Sequence, residues 1–214
     1  VVFYYAGHGG SIKTEDTSDE SLPNDAINEF IYPADSLGPG IVEDNFITDD
    51  QLGTSFQNNL SHTQNVLILD SCNSGGFIST RDTGWDHRPD DATSGTYVMG
   101  DVEPPAFMAM NLYFANLPDS DISDNNTLVL TSAGQLEEAP ESALYNHGVF
   151  TYYLLETPIT ADANSDGFIT VLEAFEHIDY RMRTEWNEYY SHPLNRNLPH
   201  VTVSPLDYVL FEAD

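Results

Sequence analysis

The feature that most constrains the fold is a short apolar run that stops abruptly at polar and glycine residues. Residues 66–69 are VLIL, and they are followed by Asp70 and the turn sequence SCNSGG. A continuous apolar run of this length is typical of a strand that is buried on both faces of a parallel sheet. Ligands and chemistry in open α/β sheets collect at the carboxyl ends of strands. Cys72, the only cysteine of the chain, follows such an end and is therefore a candidate nucleophile.

A second apolar run supplies the base that a nucleophilic thiol needs. Residues 1–5 predict another buried strand, and His8 follows it inside a glycine turn. If the two strands are parallel neighbours, His8 and Cys72 lie side by side. Glycine lets the backbone approach a substrate closely, so the amides of Gly9 and Cys72 are candidates for binding a developing oxyanion. The pattern predicts a His–Cys pair with an oxyanion site beside it.

Both turns resemble motifs of a known family, the caspase-like cysteine peptidases. The sequences YYAGHGG around His8 and LDSCNSGG around Cys72 are similar to the His and Cys motifs of that family, most closely in its metacaspase branch. The segments NEFIYPAD, ITDDQL, TSAG and HGVFTY also resemble metacaspase sequence, so the similarity covers nearly the whole chain. The resemblance implies a caspase-like α/β fold, with a mostly parallel sheet flanked by helices, and a cysteine endopeptidase with a His8–Cys72 dyad.

Acidic residues near Cys72 bear on substrate specificity. Asp70 precedes Cys72 by two residues. It is either a structural carboxylate that accepts hydrogen bonds from backbone amides, or the floor of the pocket for the substrate residue before the cut. The metacaspase resemblance implies the pocket role and a preference for Arg or Lys. Glu137, Glu138 and Glu141 follow the third predicted strand and are candidates for adding negative charge to this pocket.

A calcium-loop pattern occurs near the end of the chain, at residues 162–173, DANSDGFITVLE. Calcium prefers the oxygen ligands that this spacing supplies in an EF-hand loop. The alternative is a capping box, in which Thr170 and Glu173 open the helix that follows. A capping box leaves the acidic triplet and Gly167 unexplained, so we predict Ca²⁺ and no organic cofactor. The candidate ligands are Asp162, Asn164, Asp166, Phe168 through its carbonyl, Thr170 and Glu173.

Periodicity predicts three helices and a third strand. Leu52, Phe56 and Leu60 recur every four residues, which predicts a helix over 48–60 with Thr48 as its N-cap. A third buried strand is predicted at 127–130. A second helix begins at 150 and ends at Pro158, since proline interrupts helices. The remaining predictions are a helix over 170–190, a long loop over 11–40 with a hairpin at 29–32, an irregular segment over 79–126 and an extended tail over 201–211.

Size and charge narrow the classes of partner. A chain of 214 residues with 40% hydrophobic residues predicts one domain, 1–214, with a proper core. The chain has six basic and 35 acidic residues, for a formal charge of −29. This charge argues against nucleic acid or an anionic membrane as a partner, and it suits basic peptides or cations. No stretch approaches the roughly 20 apolar residues of a membrane span. No compartment is indicated.

The first residues already lie inside an apolar run, whereas the caspase-like family has a further strand and helices before its His motif. We therefore expect this sequence to be a fragment that lacks an N-terminal segment. Arg81 and Arg88 follow the nucleophile, and an enzyme that cuts after Arg would be expected to cleave itself after Arg81. Two alternatives stay open: a legumain-like or clostripain-like peptidase of other specificity, and a catalytically inactive calcium-binding interaction module.

Overall fold

The computed structural model describes residues 1–13, 27–33, 46–78, 127–134, 137–189, 199–201 and 207–213. The predicted irregular segment 79–126, with Arg81 and Arg88, lies outside these residues, as does most of the predicted loop 11–40. The strands are β1 (Val2–Ala6), β2 (Gly9–Lys13), β3 (Ile27–Ile31), β4 (Ile47–Thr48), β5 (Asn65–Asp70), β6 (Thr127–Thr131), β7 (Glu141–Ser142), β8 (His147–Gly148), β9 (Phe168–Thr170), β10 (His200–Val201) and β11 (Val209–Glu212).

The central sheet has the strand order β1-β5-β6-β10, and its first three strands are parallel. These are the three apolar runs, so their prediction as parallel strands is confirmed. Burial is confirmed for β5 and β6 but is wrong for β1, the end strand of the described sheet, where Val2 and Tyr4 are exposed. Successive side chains of a strand point to opposite faces of the sheet, and helices pack against both faces. Val66 and Ile68 pack in one core cluster, whereas Leu67 and Leu69 pack in another. The mixed α/β class is thereby confirmed.

The first helix, α1 (Asp49–Leu60), begins as the sequence predicts. Thr48 caps it through a hydroxyl that accepts the Gln51 amide, and the Gln51 side chain accepts the Thr48 amide in return. This reciprocal pair satisfies two amides that otherwise lack a partner at a helix start. Leu52 and Phe56 are buried against the sheet face that carries Leu67. The periodic pattern thus gave both the start and the buried face of α1.

The second helix, α2 (Val149–Thr160), passes through Pro158, so the prediction that proline ends it is wrong. Proline lacks the amide that would donate to the carbonyl four residues earlier, which is that of Leu154. The Thr157 hydroxyl donates to this Leu154 carbonyl at 2.8 Å instead. Because Pro158 lies in the last turn of α2, the single lost backbone bond is replaced locally and the helix continues to Thr160.

The third helix, α3 (Val171–Arg181), continues through a π-helical turn (Met182–Trp186) into the short α4 (Asn187–Tyr189). The prediction of one helix over 170–190 is therefore confirmed up to Tyr189, with Thr170 as N-cap, and Tyr190 lies outside the described residues. The sequence over 170–190 has an apolar stripe of six residues, of which five are buried and Leu172 is partly exposed. The buried members are Val171, Phe175, Ile178, Met182 and Trp186.

A small antiparallel sheet, β2-β3-β4, flanks the central one. The predicted loop over 11–40 is wrong at Ser11–Lys13, because these residues belong to β2 and pair with β3. The predicted hairpin at 29–32 is wrong, because residues 29–31 belong to one continuous strand, β3, that pairs with both β2 and β4. The sequence GGSIK lacks the alternation that signals a strand, so the pairing with β3 overrides a weak local preference.

Short pairings complete the described part. The antiparallel pair β9–β11 and the pair β10–β6 lie in the C-terminal region, where the sequence predicts an extended tail over 201–211. The extended tail is confirmed at Val201 and at residues 209–211. Residues 202–206 lie outside the described residues. None of the helices in the described part of the chain is long and apolar enough to cross a membrane.

Candidate active site

The register between β1 and β5 brings the two sequence motifs together. Ala6 pairs with Asp70, and His8 and Cys72 each lie two residues beyond that pair. Neighbouring strands are about 4.8 Å apart, so the two turns leave the sheet side by side. The Gly7 amide donates to the Asp70 carbonyl at 3.1 Å and links the turns directly. His8 is exposed and Cys72 is partly exposed.

Gly9 lies in contact with the nucleophile turn, and this contact requires glycine. A Cβ at position 9 would lie 2.3 Å from the Cys72 carbonyl oxygen and 3.0 Å from the Ser71 side chain. The first distance is too short for real atoms and the second is tighter than most real contacts, so a larger residue would push the turns apart. The close approach places the Gly9 and Cys72 main chains beside each other, where the sequence predicts the oxyanion site. The oxyanion role of their amides stays a prediction.

The turn after β5 is held by the segment that follows β6. The Ser71 amide donates to the Ser132 hydroxyl at 3.1 Å, and the Asn73 amide donates to the Glu137 carbonyl at 2.9 Å. Asn73 has a positive φ of 58°, a conformation that asparagine tolerates better than most residues. The turn then closes into a short 3₁₀ helix, Ser74–Phe77. The amides on either side of Cys72 are thus both held by hydrogen bonds to the segment after β6.

Burial and negative charge raise the pKa of the Cys72 thiol. Desolvation is the largest cause, and the charges of Glu138 and Asp70 add to it. A hydrogen bond with the Ala139 main chain acts in the opposite direction. The net rise keeps the thiol protonated, so a separate base must accept its proton before the sulfur can attack. Glu138 is the one of the three glutamates singled out in the sequence whose charge acts on Cys72.

Asp70 is almost fully buried, at 6% exposure, and its carboxylate is engaged by the start of α2. The Thr151 amide donates to Asp70 Oδ2 at 3.1 Å, and the Thr151 hydroxyl donates to the same oxygen. Burial raises the pKa of Asp70, while the bonds from Thr151 and Ser132 lower it. Asp70 therefore has the structural role that the sequence offered as one alternative, because it caps a helix from another part of the chain. Its role as a pocket floor is untested.

The approach of α2 to Asp70 depends on Gly148. A Cβ at position 148 would lie 2.2 Å from Asp70 Oδ2, so this helix start has no room for a side chain. The hydroxyl of Tyr4 lies 2.6 Å from Thr151 Oγ1. Because the Thr151 hydroxyl donates its hydrogen to Asp70, the Tyr4 hydroxyl must be the donor to Thr151. The result is a chain of hydrogen bonds from Tyr4 through Thr151 to Asp70. The sequence signal for Thr151 was the similarity of HGVFTY to the family, which gave Thr151 no role at Asp70.

The His8 turn has its own support from residues that the sequence analysis did not single out. The Tyr5 hydroxyl donates to the His8 carbonyl at 2.8 Å and to the Tyr32 carbonyl at 2.8 Å. The Tyr32 amide donates to the His8 carbonyl at 3.0 Å. Tyr5 belongs to the apolar run of β1 and was predicted only as part of a strand, so the hydrogen bonds of its hydroxyl were missed. Tyr32 lies just beyond β3, whose pairing with β2 was not predicted from the sequence.

The predicted calcium loop is shaped by hydrogen bonds within itself. The two oxygens of Asp162 accept the amides of Asp166 and Gly167, at 3.2 and 3.1 Å. Glu173 Oε2 accepts the amide of Thr170 at 3.0 Å, which completes the capping box that the sequence offered as the alternative. Among the described residues, no three His, Cys, Asp or Glu side chains come together closely enough to hold a metal ion. Calcium binding is untested by this arrangement.

Three comparisons relate the chain to known proteins. A family model described as the caspase domain matches residues 1–199. The chain resembles the solved structure of the protein GSU0716 from Geobacter sulfurreducens with a TM-score of 0.53 and 18% sequence identity, covering 98% of this chain and 71% of that one. At that identity the likeness speaks for the fold alone. A search of curated proteins gave no significant match.

Proposed function

Because the chain belongs to the caspase-domain family of cysteine-type endopeptidases, we propose that His8 and Cys72 are its catalytic dyad and that it cleaves after Arg or Lys. The observation that carries the proposal is the register of β1 and β5, which sets both residues two positions beyond one strand pair. A nucleophile and its base must come within hydrogen-bond reach of each other. The adjacency of the two turns at the carboxyl edge of the parallel sheet supports such a pair.

Because burial raises the pKa of the Cys72 thiol, a base must accept its proton before the sulfur attacks. In the proposed dyad this base is His8. His8 takes the thiol proton while Cys72 Sγ attacks the scissile carbonyl carbon, and the amides of Gly9 and Cys72 donate to the oxyanion. His8 then gives its proton to the leaving amine as the C–N bond breaks, which leaves a thioester on Cys72. Water, deprotonated by His8, attacks the thioester and releases the second product and the thiol.

Negative charge around the nucleophile supports the preference for basic substrates. The charges of Asp70 and Glu138 act on Cys72, and the charge of Glu141 acts on Asp70. A cationic side chain of the substrate would reduce the repulsion among these carboxylates. Asp70 already accepts bonds from Thr151, so we assign it the fixed inner charge of the pocket and assign Glu138 the more accessible one, since Glu138 is exposed.

The test is a panel of fluorogenic peptides that differ only in the residue before the cut, namely Arg, Lys, Asn or Asp. We expect kcat/KM for Arg and Lys to exceed the other two by roughly 100-fold, because a buried carboxylate discriminates strongly against an uncharged or anionic partner. A preference for Asn or Asp would overturn the specificity and favour a legumain-like or other caspase-family activity.

The dyad is tested with the same peptides and three variants. Cys72→Ala should abolish cleavage, and His8→Ala should lower kcat/KM by roughly 100-fold or more, since a general acid–base group contributes that much. Ser71→Ala is the matched control. Its hydroxyl is buried with no hydrogen-bond partner among the described residues, so its removal should leave cleavage near the parent level. Turnover by Cys72→Ala at the parent rate would refute the dyad, whereas absence of cleavage by the parent protein itself would favour an inactive binding module.

We propose, separately, that residues 162–173 bind Ca²⁺. The loop already has the turn that an EF-hand loop needs, because Gly167 has a positive φ of 86° and its amide donates to Asp162. Phe168 and Asn164 are exposed, so the loop is accessible to an ion. Glu173 would supply its second oxygen while Oε2 stays on Thr170. Bound calcium would supply positive charge to an otherwise strongly acidic segment.

Calorimetry with Ca²⁺, Mg²⁺ and chelator tests this proposal in the parent, in Asp162→Ala and in Glu173→Gln. Glutamine keeps the capping box but loses the carboxylate, so Glu173→Gln should weaken calcium binding without loss of the helix. Glu176→Gln is the control, because Glu176 is exposed on the same helix and outside the loop. Equal calcium affinity in Glu173→Gln and the parent would show that the loop is a helix cap alone.

A further inference from the structure

The Tyr5 hydroxyl joins three parts of the described chain at the His8 turn. It lies 2.8 Å from the His8 carbonyl oxygen and 2.8 Å from the Tyr32 carbonyl oxygen. A phenol has one hydrogen to donate, so the two carbonyls share it. The Tyr32 amide donates to the same His8 carbonyl at 3.0 Å. The end of β1, the start of β2 and the end of β3 are thereby tied together directly at His8.

The Tyr5 hydroxyl also explains why glycine precedes His8. A Cβ at position 7 would lie 2.7 Å from Tyr5 Oη and 2.9 Å from Tyr5 Cζ, closer than real Cβ contacts occur. The tyrosine ring therefore lies under the turn, and the turn can close over it because Gly7 has no side chain. The ring itself is fixed, since it packs against the cluster that includes Leu67 and Leu69.

The hydroxyl remains a donor across the pH range in which a cysteine peptidase works. Burial raises the pKa of Tyr5 above its ordinary value near 10, which more than offsets the hydrogen bond to Tyr32. At neutral pH the phenol is therefore protonated. The hydrogen shared by the carbonyls of His8 and Tyr32 is permanently present under these conditions.

We propose that Tyr5 is a positioning residue for His8, an inference that rests on the proposed His8–Cys72 dyad. In a catalytic triad a third side chain orients the imidazole of the base. Here the Tyr5 hydroxyl fixes the main chain of His8 instead, and so sets where its imidazole meets the thiol and the leaving amine. A displacement of about 1 Å in such a group can lower a rate by roughly 100-fold.

The experiment is Tyr5→Phe, which removes the hydroxyl and keeps the ring. We compare kcat/KM on a peptide amide and on a nitrophenyl ester with the same residue before the cut. Both substrates need His8 to accept the thiol proton, but only the amide also needs a proton from His8 to release its amine, since nitrophenolate leaves without one. Tyr5→Phe should therefore lower kcat/KM on both substrates, and the loss should be roughly tenfold larger on the amide than on the ester. Tyr180→Phe, which removes an exposed hydroxyl on α3, should change neither.

The outcomes separate this inference from the dyad itself. If Tyr5→Phe lowers amide and ester turnover equally, or leaves both at the parent level, Tyr5 does not position His8 for proton transfer to the leaving amine. If instead His8→Ala and Cys72→Ala retain the parent activity, the dyad fails and the role of Tyr5 fails with it. The double variant Tyr5→Phe/His8→Ala should be no slower on the amide than His8→Ala, because Tyr5 acts through His8. An additive further loss would contradict the inference.

Discussion

At the scale of single residues, the ionisation of Cys72 depends on a charge that can be removed. Glu138 raises the pKa of the thiol by repelling the thiolate, and burial raises it further. Glu138→Gln removes the charge and keeps the shape, so the thiol pKa should fall. The rate of Cys72 alkylation by iodoacetamide, measured against pH, should then have its midpoint at lower pH than in the parent.

Glu141→Gln is the matched control for that shift. Glu141 is exposed like Glu138, but its charge acts on Asp70 and is not among the causes of the Cys72 shift. The alkylation midpoint of Glu141→Gln should therefore stay close to that of the parent. Equal midpoints in the parent and Glu138→Gln would show that the charge of Glu138 does not raise the pKa of the thiol.

At the scale of elements, the end of α2 depends on one side-chain hydrogen bond. The Thr157 hydroxyl replaces the backbone donor that Pro158 lacks, and it is fully buried. Thr157→Val keeps the shape and leaves the buried Leu154 carbonyl without this donor. The free energy of unfolding should fall by about 1–3 kcal/mol in urea titrations.

Two further variants identify the cause of that loss. Thr160→Val removes a similar bond to the Glu156 carbonyl at an exposed position, where water replaces it, so its effect should be below about 0.5 kcal/mol. Pro158→Ala added to Thr157→Val restores a backbone amide to the Leu154 carbonyl, so stability should recover. Failure of Pro158→Ala to restore stability would mean that Thr157→Val acts through packing.

How much of the site was predictable depended on whether a signal was local. The continuous apolar runs before His8 and Cys72 predicted two strands, each of which ends just before a candidate catalytic residue. This succeeded because a continuous apolar run is a local pattern. The end of α2 was missed because Thr157 compensates for Pro158, and compensation of this kind has no periodicity. Glu138 was a candidate because it follows the third predicted strand, but the effect of its charge on Cys72 arises from the chain returning after β6, which no local pattern encodes.

At the scale of the whole molecule, the net charge of −29 opposes the compact state. Like charges repel more strongly when the chain is folded, and salt screens them. The Debye length falls from about 30 Å at 0.01 M salt to about 8 Å at 0.15 M. The urea midpoint of unfolding should therefore rise with NaCl, most steeply below about 0.2 M, where the screening length changes most.

The shape of that curve distinguishes screening from a general salt effect. Screening saturates once the Debye length is shorter than the spacing between charges, whereas exclusion of salt from the protein surface grows steadily with concentration. A urea midpoint that is independent of NaCl, or that rises linearly up to high concentration, would contradict a stability limited by repulsion.

The central claim is that Cys72, assisted by His8, attacks substrates with a basic residue before the cut. The most direct measurement is the intact mass of the protein after incubation with a peptidyl chloromethyl ketone that ends in Arg. We predict one adduct per chain, located on Cys72 by peptide mapping, with much slower labelling by the matching reagent that ends in Asp. No adduct on Cys72, or equal labelling by the two reagents, would contradict the account.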